Sequence, residues 1–385
     1  MKVKQNKLTP LLKYPGGKEK ELSYILPYLP SGANNFYEPF VGGGAVFFSI
    51  DANKYLINDK SSELISLYEA IKHNDAVFID KLKQIDHNWN ILSSVISNHI
   101  DDIVEICDLY KENNLSKIRL QDRISEFVFR NAEEFNGVLR PAFNVGIDNF
   151  VSELIKSFKN KILRIKEIEK ANSEFSKEQI TLNIECAFKT AFYMHFRHLY
   201  NNVNKYEIEK SFETAIFFFI REYCYSSMFR YNSFGKFNVP YGGISYNKKS
   251  LDKKIKYFSS PGLIEHLNKA IIEELDFYEF MKKHPPSKND FIFIDPPYDT
   301  DFSTYAKNTF NQADQVRLAK YLKEECDGYF MIVIKDTPLI RTLYKKDESV
   351  KNNRSIKIAE FDKKYVVSFQ GRNDADVVHL VITNY

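Results

Sequence analysis

The sequence predicts an α/β protein whose open, mostly parallel sheet is interrupted by a long, mainly helical insertion. Short apolar runs typical of buried strands alternate with helical periodicity near both ends of the chain. From about residue 61 to 219 the pattern changes to long segments of 3.6-residue period. The last apolar runs follow one another closely, which predicts a terminal hairpin at an antiparallel edge of the sheet. A chain of 385 residues, 44% hydrophobic, is long enough for two domains with sizeable cores.

The first feature along the chain is a Pro-Gly-Gly turn enclosed by Lys13-Tyr14 and Lys18. The amphipathic stretch from Glu19 to Leu29 predicts that this turn opens a helix. The GxxxxGK[ST] spacing of a phosphate-binding Walker A loop is absent. By itself, the pair Gly16-Gly17 favours an ordinary turn.

A glycine loop follows the first predicted strand, which ends at Glu38. Gly42 to Gly44 are expected to lead into an apolar helix, and glycines there would let a ligand approach the backbone and the helix N-terminus. Glu38, at the carboxyl end of the strand, can meet a cation. A second strand, Lys54 to Ile57, precedes Asp59, and an acid at this place typically binds ribose hydroxyls. The pattern predicts an adenosine-containing ligand without deciding which one.

The insertion is predicted to be helical over the following segments: Ala76–Trp89, Ser94–Leu109, Arg123–Phe135, Phe150–Glu169, Glu185–Leu199 and Tyr206–Ile220. The next stretch, from Arg221 to Tyr257, holds eight basic residues against two acidic ones, and seven aromatic residues lie between Tyr223 and Tyr241. Such a mixture suits a surface that binds phosphates and reads base edges. It is equally compatible with a solvated basic face over an aromatic core.

The run Phe291 to Ile294 ends at Asp295-Pro-Pro-Tyr298. Four apolar residues predict a strand buried on both faces, and two prolines stop it, because proline cannot continue a strand ladder. A carboxylate, a backbone carbonyl and an aromatic ring are thus expected at the carboxyl end of a central strand, where they could hold a flat heterocycle with an amino group. The remaining strands are predicted at Ala270–Glu273, Phe330–Ile334, Ser355–Phe361, Tyr365–Phe369 and Val377–Thr383, and a helix is predicted from Gln312 to Glu325.

Composition excludes several classes of protein. The net charge of +3 is too small to identify a partner, and four widely spaced cysteines indicate neither a zinc site nor a disulfide framework. No apolar run is long enough for a membrane span, and the N-terminus does not resemble a signal peptide. We therefore expect a cytoplasmic protein with no metal and no membrane association.

Five motifs together resemble a known family. Lys13-Tyr-Pro-Gly-Gly-Lys18, Glu38-Pro-Phe-Val-Gly-Gly-Gly, Asn58-Asp59, Arg230-Tyr-Asn to Pro240-Tyr-Gly, and Asp295-Pro-Pro-Tyr298 resemble, in this order, the Dam-type (D12 class) DNA adenine-N6 methyltransferases. The resemblance covers roughly residues 8–75 and 215–385. The segment from about 80 to 215 is longer than in the compact members, and Lys335 stands where they carry an uncharged residue.

The resemblance implies a Rossmann-like methyltransferase sheet, formed by residues 1–75 and 260–385, and a helical insertion with the DNA target-recognition part at 76–259. It implies methyl transfer from S-adenosylmethionine to N6 of a flipped-out adenine in double-stranded DNA by a bacterial or phage-encoded enzyme. The protein is expected to be a monomer, with a cognate restriction endonuclease as a candidate partner. The residues expected to act are, for catalysis, Asp295, Pro296 and Tyr298; for the cofactor, Tyr14, Lys18, Glu38, Phe40, Gly42, Gly44, Asp59, Asp276 and Asp295; and for DNA, Lys13, Tyr225, Arg230, Asn232 and Lys236.

Three alternatives stay open at this stage. Amino methyltransferases that act on RNA or on protein glutamine more often carry Asn where Asp295 stands, and they lack the recognition block. A DNA-binding specificity protein without catalysis would not need the intact Asp-Pro-Pro-Tyr motif. A dinucleotide oxidoreductase would carry GxGxxG after the first strand, which is absent here.

Overall fold

The computed structural model describes residues 1–4, 8–14, 16–139, 142–297, 310–363 and 377–385. These residues form two compact units. The first comprises Met1–His73 together with Ser260–Tyr385, and the second comprises Asn74–Ser259. The second unit is therefore an insertion into the first.

The first unit is built on a seven-stranded sheet. Its strands, in chain order, are β1 (Phe36–Glu38), β2 (Tyr55–Asn58), β3 (Ala270–Glu273), β4 (Phe291–Ile294), β5 (Tyr329–Lys335), β6 (Lys357–Lys363) and β7 (Val377–Thr383). They lie side by side in the order β6-β7-β5-β4-β1-β2-β3. The pairs among β3, β2, β1, β4 and β5 are parallel, whereas β7 pairs antiparallel with both β5 and β6. The sheet is thus mostly parallel with an antiparallel edge, as predicted.

The central strands read as continuous apolar runs because both of their faces are covered. All four residues of β4 are fully buried, as are Phe330 to Val333 in β5. One side of the sheet packs on a cluster that includes Leu318, Leu322 and Ile340 from the helices after β4 and β5. Parallel sheets bury both faces in this way, which is why the strands show no alternation of apolar and polar residues.

Helices complete the description of the chain. The α-helices, in chain order, are α1 (Leu22–Ile25), α2 (Ser62–Lys72), α3 (Ala76–Asn98), α4 (Ile100–Lys111), α5 (Lys117–Arg130), α6 (Ala132–Gly137), α7 (Ile147–Ala171), α8 (Lys177–Tyr200), α9 (Lys210–Tyr223), α10 (Asp252–Phe258), α11 (Pro261–Asn268), α12 (Phe277–Lys283), α13 (Gln312–Lys320) and α14 (Pro338–Leu343). None of them is both long enough and apolar enough to cross a membrane.

The second unit is helical, as the 3.6-residue period predicts. Its longest helices, α3, α7 and α8, begin at side-chain or glycine caps; Ser176, for example, forms a capping box with Gln179 at the start of α8. Trp89 on α3 lies at the centre, with the rings of Phe219 and Tyr223 4.7–5.8 Å away. Aromatic side chains from α3 and α9 therefore meet in this core.

Three local predictions need comment. The apolar helix expected after the glycine loop is wrong: Phe47–Ser49 is a single short 3-10 helix, followed by the two-residue strand Ile50–Asp51 that pairs with Lys2–Val3. The helix expected over Gln312–Glu325 ends as a π-helical turn, Tyr321–Glu325. The strand predicted at Tyr365–Phe369 lies outside the described residues.

Candidate active site

The order of strands changes direction between β1 and β4. The chain proceeds from β1 outward through β2 to β3, and then resumes at β4 on the other side of β1. A crevice opens at such a switch point, outside the carboxyl ends of the strands, and open α/β sheets bind their ligands there. Glu38 is the last residue of β1 and Asp295 follows β4 directly. The fold therefore places these two sequence-predicted carboxylates at the carboxyl ends of the neighbouring strands β1 and β4, at the switch point.

Asp295 is held by a buried lysine from the other end of the chain. The Lys18 ammonium lies 2.6 Å from Asp295 Oδ1, and the exposed fractions of the two side chains are 2% and 20%. Lys18 also donates to the carbonyl of Gly16, 3.1 Å away, so the Gly-Gly turn fixes the lysine as well. A charge-assisted hydrogen bond of this length is among the stronger polar contacts in proteins. Lys18 thus contacts the predicted catalytic acid itself, a pairing that sequence order could not reveal.

Glu38 is buried, and its carboxylate accepts a hydrogen bond from the N–H of Phe47 (3.1 Å). This contact takes up a backbone donor at the start of the short 3-10 helix, where the sequence had suggested a ligand. Burial raises the pKa of Glu38 well above its ordinary value, and the negative charge of Asp295 raises it further. A carboxylate in this state gains most from an approaching cation, because a positive charge favours its ionised form.

Asp59 organises the glycine loop. Its two carboxylate oxygens accept from the N–H groups of Gly42 and Ser61, each at 3.0 Å. Burial raises the pKa of Asp59, while these backbone hydrogen bonds work in the opposite direction. The side chain therefore ties the end of β2 to the loop after β1. Its predicted contact with a ribose stays a prediction.

The glycines are required by the protein's own side chains. Gly42 has a φ of +49°, and a Cβ there would lie 3.0 Å from the ring of Tyr14. Gly44 has a φ of +77°, and its Cβ would lie 2.5 Å from the hydroxyl of Tyr68. Left-handed backbone and these close contacts both exclude larger residues. The sequence-based interpretation, that the glycines admit a ligand, does not account for Gly44, which faces the core.

Two further predicted cofactor residues lie beside this crevice. The half-buried ring of Phe40 packs against Phe277 and Phe310, with centroids 5.6 and 5.5 Å away. Asp276 caps α12 through the N–H of Tyr278 and pairs with Arg317 at 2.7 Å. The segment after β1 therefore contributes an aromatic ring, Phe40, and the segment after β3 contributes an acid, Asp276, that is already paired with Arg317.

Two buried amide side chains hold these loops in place, and the sequence analysis assigned a role to neither. Asn58 donates to the carbonyls of Pro39 and Leu275 and accepts from the N–H of Leu275, so it links the ends of β1 and β3. Gln315 on α13 donates to the carbonyl of Pro297 at 2.9 Å and so supports the segment after β4. Tyr298, the predicted platform for a base, lies outside the described residues.

The predicted DNA-contacting residues of the second unit lie on one irregular hairpin. Tyr231 and Phe237 form an isolated antiparallel bridge, and the side chain of Asn232 accepts from the N–H groups of Phe234 and Lys236 across the turn. Asn232 therefore shapes the loop. Arg230 and Lys236 are exposed, and Arg230 Nε donates to Asn238 at 3.2 Å. Lys13, by contrast, is an exposed residue of the first unit.

The basic, aromatic stretch divides into a core part and a surface part. Tyr223, Phe229, Phe237 and Tyr241 are buried, while Tyr225 and Phe234 are exposed. The buried Arg221 does not join a basic surface: its guanidinium donates to the carbonyls of Ser227 and Met228 and lies over the ring of Phe229. The aromatic-core interpretation therefore holds for the buried part of this stretch, and the base-reading surface stays a prediction for the exposed part.

Comparison with known proteins identifies the family. The family model of D12 class N6 adenine-specific DNA methyltransferases matches residues 14–194 and 170–358. The chain belongs to this family. It is 24% identical to a type II methyltransferase of Lactococcus lactis subsp. cremoris, over 98% of this chain and 96% of that protein. It is 25% identical to a type II methyltransferase of Paramecium bursaria Chlorella virus NC1A, over 98% and 100%. It is 23% identical to the DNA adenine methylase of Escherichia coli K12, over 90% and 88%.

Membership confirms the predicted family, fold class and reaction. The enzyme is an adenine-specific DNA methyltransferase, and the family implies S-adenosylmethionine as the methyl donor and DNA as the substrate. The alternatives that act on RNA or on protein, and the dinucleotide oxidoreductase, are thereby set aside. The roles of individual residues stay predictions.

Proposed function

We propose that the enzyme transfers a methyl group directly from S-adenosylmethionine to N6 of an adenine flipped out of double-stranded DNA, with Asp295 and the Pro296 carbonyl as acceptors for the amino group. The observation that supports this most is the position of the Lys18–Asp295 pair at the switch point between β1 and β4. Pro296 is buried next to it, and Gln315 supports Pro297. A rigid segment therefore carries the proposed acceptors.

The residues around the crevice fit a cationic donor. S-adenosylmethionine supplies an electrophilic methyl group on a positively charged sulfur. Glu38, Asp59 and Asp295 place carboxylates at the ends of β1, β2 and β4, and the raised pKa of Glu38 means that a nearby cation would stabilise its charged form. In our proposal the cofactor is held by Tyr14, Lys18, Glu38, Phe40, Gly42, Asp59, Asp276 and Asp295, and by Gly44 through its backbone alone, because Tyr68 lies where a Cβ of Gly44 would be.

The proposed task of Asp295 follows from the chemistry of the amine. The lone pair of an exocyclic amine is delocalised into the heterocycle, so the nitrogen is a poor nucleophile. Acceptors for both N–H groups would draw this lone pair toward the incoming methyl group. A carboxylate offers about four acceptor positions, so a bond from Lys18 is compatible with another from the amine. No covalent enzyme intermediate is required.

The target base must leave the duplex before it can reach this site, at a cost of a few kcal/mol. Stacking on an aromatic ring contributes about 1–3 kcal/mol per base and would offset part of this cost. Tyr298 is proposed for this contact. Lys13, Tyr225, Arg230, Asn232 and Lys236 are proposed to contact the DNA, and the exposure of Arg230 and Lys236 is compatible with that role. The Met1–His73 and Ser260–Tyr385 unit would then carry the chemistry and the Asn74–Ser259 unit the target recognition.

The biological setting is part of the same proposal. Two of the relatives are named type II methyltransferases, which favours a function in partnership with a cognate restriction endonuclease. We further propose that the enzyme acts as a monomer and in the cytoplasm of a bacterium, where its DNA substrate is found. Co-purification and gel filtration of the protein expressed from its native locus test the first two points.

The central experiment replaces Asp295 by alanine. Asp295→Ala should bind duplex DNA as the wild type does and lose methylation, because the amine loses its acceptor. Asp362→Ala, which removes an exposed carboxylate from β6, serves as the matched control. Methyl incorporation and fluorescence polarisation with the same duplex measure both properties. Substantial methylation by Asp295→Ala would refute the mechanism, and a wild-type protein that binds DNA without methylating any adenine would favour an inactive specificity protein.

A second experiment addresses target recognition. If Arg230 reads a guanine, Arg230→Ala should lose about 1–3 kcal/mol of discrimination at one position of the target. Lys248→Ala, another exposed basic residue of the second unit, is the control. Methylation-sensitive long-read sequencing of DNA from expressing cells gives the target and its relaxation together. Unchanged discrimination at every target position would remove Arg230 from the readout.

A further inference from the structure

A chain of three buried side chains extends inward from Asp295. Lys18 contacts Asp295, as described above, and lies 3.9 Å from Glu21 Oε2 on its other side. The same Glu21 oxygen lies 3.6 Å from His379 Nδ1. Nothing in the family motifs includes Glu21 or His379. The two residues come from opposite ends of the chain and meet at the sheet.

The local structure explains why Glu21 faces the lysine. Lys18–Glu21 is one turn of 3-10 helix, in which side chains three residues apart eclipse each other. The sequence Lys-Glu-Lys-Glu would otherwise suggest an exposed charged turn, and Glu19 and Lys20 are indeed exposed. Lys18 and Glu21 are both buried, so the turn inserts one ion pair into the protein and leaves the charges of Glu19 and Lys20 in water.

His379 closes the chain from the side of the sheet. It is fully buried in β7, opposite Lys335 of β5, and the ring of Phe361 lies 5.6 Å away. Phe361 is in turn covered by Tyr24, with ring centroids 4.8 Å apart. Solvent is therefore kept from the Glu21–His379 contact, and charges in such a place are screened little by water or salt.

Because these side chains are buried, each of them can adopt few positions. A lysine side chain has four rotatable bonds and would lose its hold on Asp295 if it turned toward another acceptor. Glu21 provides negative charge behind the ammonium, and His379 limits where the Glu21 carboxylate can lie. The lysine is thus bound from two sides, along with the carbonyl of Gly16.

We propose that Glu21 and His379 are positioning residues for methyl transfer, which hold Lys18 against Asp295 so that the carboxylate keeps one orientation toward the amine. This inference rests on the proposed role of Asp295. Neither residue touches the substrate in this account. Their effect on the reaction passes through Lys18.

The test compares Glu21→Gln and His379→Phe with the control Glu19→Gln, which changes an exposed carboxylate of the same turn. Turnover and KM are measured for S-adenosylmethionine and for duplex DNA, together with DNA affinity by fluorescence polarisation. We expect kcat to fall between about 10- and 100-fold, the range found when supporting residues are lost or reacting groups are misplaced by about 1 Å. KM and DNA affinity should stay within about twofold of the wild type, as should every property of Glu19→Gln.

A double-mutant cycle separates positioning from general destabilisation. In a Lys18→Met background, Glu21→Gln should have little further effect on kcat, because contacting residues that act as a unit are not additive. Glu21→Asp, which keeps the charge, should recover part of the activity, and it remains informative if Glu21→Gln folds poorly. Equal losses in both backgrounds, or a wild-type kcat in both Glu21→Gln and His379→Phe, would overturn the inference. An inactive Asp295→Ala with fully active Glu21→Gln and His379→Phe would refute only this inference, whereas an active Asp295→Ala would refute the proposed mechanism.

Discussion

Replacing Lys18 by methionine should destabilise the protein, because it breaks the buried ion pair of Lys18 with Asp295. Lys18→Met keeps most of the volume of the side chain but removes its charge, and leaves the carboxylates of Asp295 and Glu21 without this cation. Breaking a buried ion pair by removing one partner costs about 3–5 kcal/mol. Because the Asp295 side chain retains 20% exposure, water stabilises it partly, and we expect the lower end of this range. Methyl transfer should fall as well, since the acceptor carboxylate loses its anchor.

Chemical denaturation measures the loss in the unit that contains Lys18. Circular dichroism follows the whole chain, whereas the fluorescence of Trp89, the single tryptophan, reports on the Asn74–Ser259 unit. Two probes are needed, because a chain with two units need not unfold in one transition. Lys20→Met, which removes an exposed charge from the same turn, should match the wild type. An unfolding free energy of Lys18→Met within about 1 kcal/mol of the wild type would refute the account of this pair, because breaking a buried pair costs more than that.

Three further outcomes are expected. Burial raises the pKa of Glu38 above its ordinary value of 4.5, so the wild type loses stability as the pH rises from that value toward the folded-state pKa. Glu38→Gln should therefore gain thermal stability relative to the wild type as the pH rises from 5 to 8. A stability difference that does not depend on pH would contradict this. Gly44→Ala should lose about 1–3 kcal/mol of unfolding free energy by overpacking. Gly32→Ala is the control and should lose less, because Gly32 has a similar φ but no described atom lies within 4 Å of the added Cβ. Equal losses in the two variants would assign the effect to φ alone. Phe234 is 86% exposed at the tip of the hairpin and should contribute to DNA affinity. Phe234→Ala should therefore weaken binding of duplex DNA in fluorescence polarisation without lowering the melting temperature. Ile118→Ala, which changes another exposed apolar side chain, should alter neither property.

Motifs and periodicity determined much of the fold. Apolar runs ending in Glu38, Asp59 and Asp295 predicted parallel strands with acids at one edge of the sheet, and the structure has them there. Periodicity also predicted the helical insertion. These features depend on neighbours along the chain, and for that reason one sequence is sufficient to find them.

The glycine loop shows where local reasoning failed. Three glycines before an apolar run suggested a helix with an open N-terminus. Glu38 instead accepts from the N–H of Phe47, and Gly44 leaves room for Tyr68. Both facts depend on residues brought together by folding. The basic stretch shows the same limit. From the sequence alone, Arg221 and Phe234 fit a nucleic-acid surface equally well, but Arg221 is buried in the structure and Phe234 is exposed.

The sequence by itself determined the class of enzyme, because each family motif consists of consecutive residues. It carried one weak sign of the buried chain behind Asp295, a histidine within the apolar run Val377 to Thr383. Only the tertiary structure decided that Lys18 pairs with Asp295, and that Glu21 and His379 lie behind the lysine. The physical reason is that buried charges must find partners in space, and in this fold those partners come from both ends of the chain.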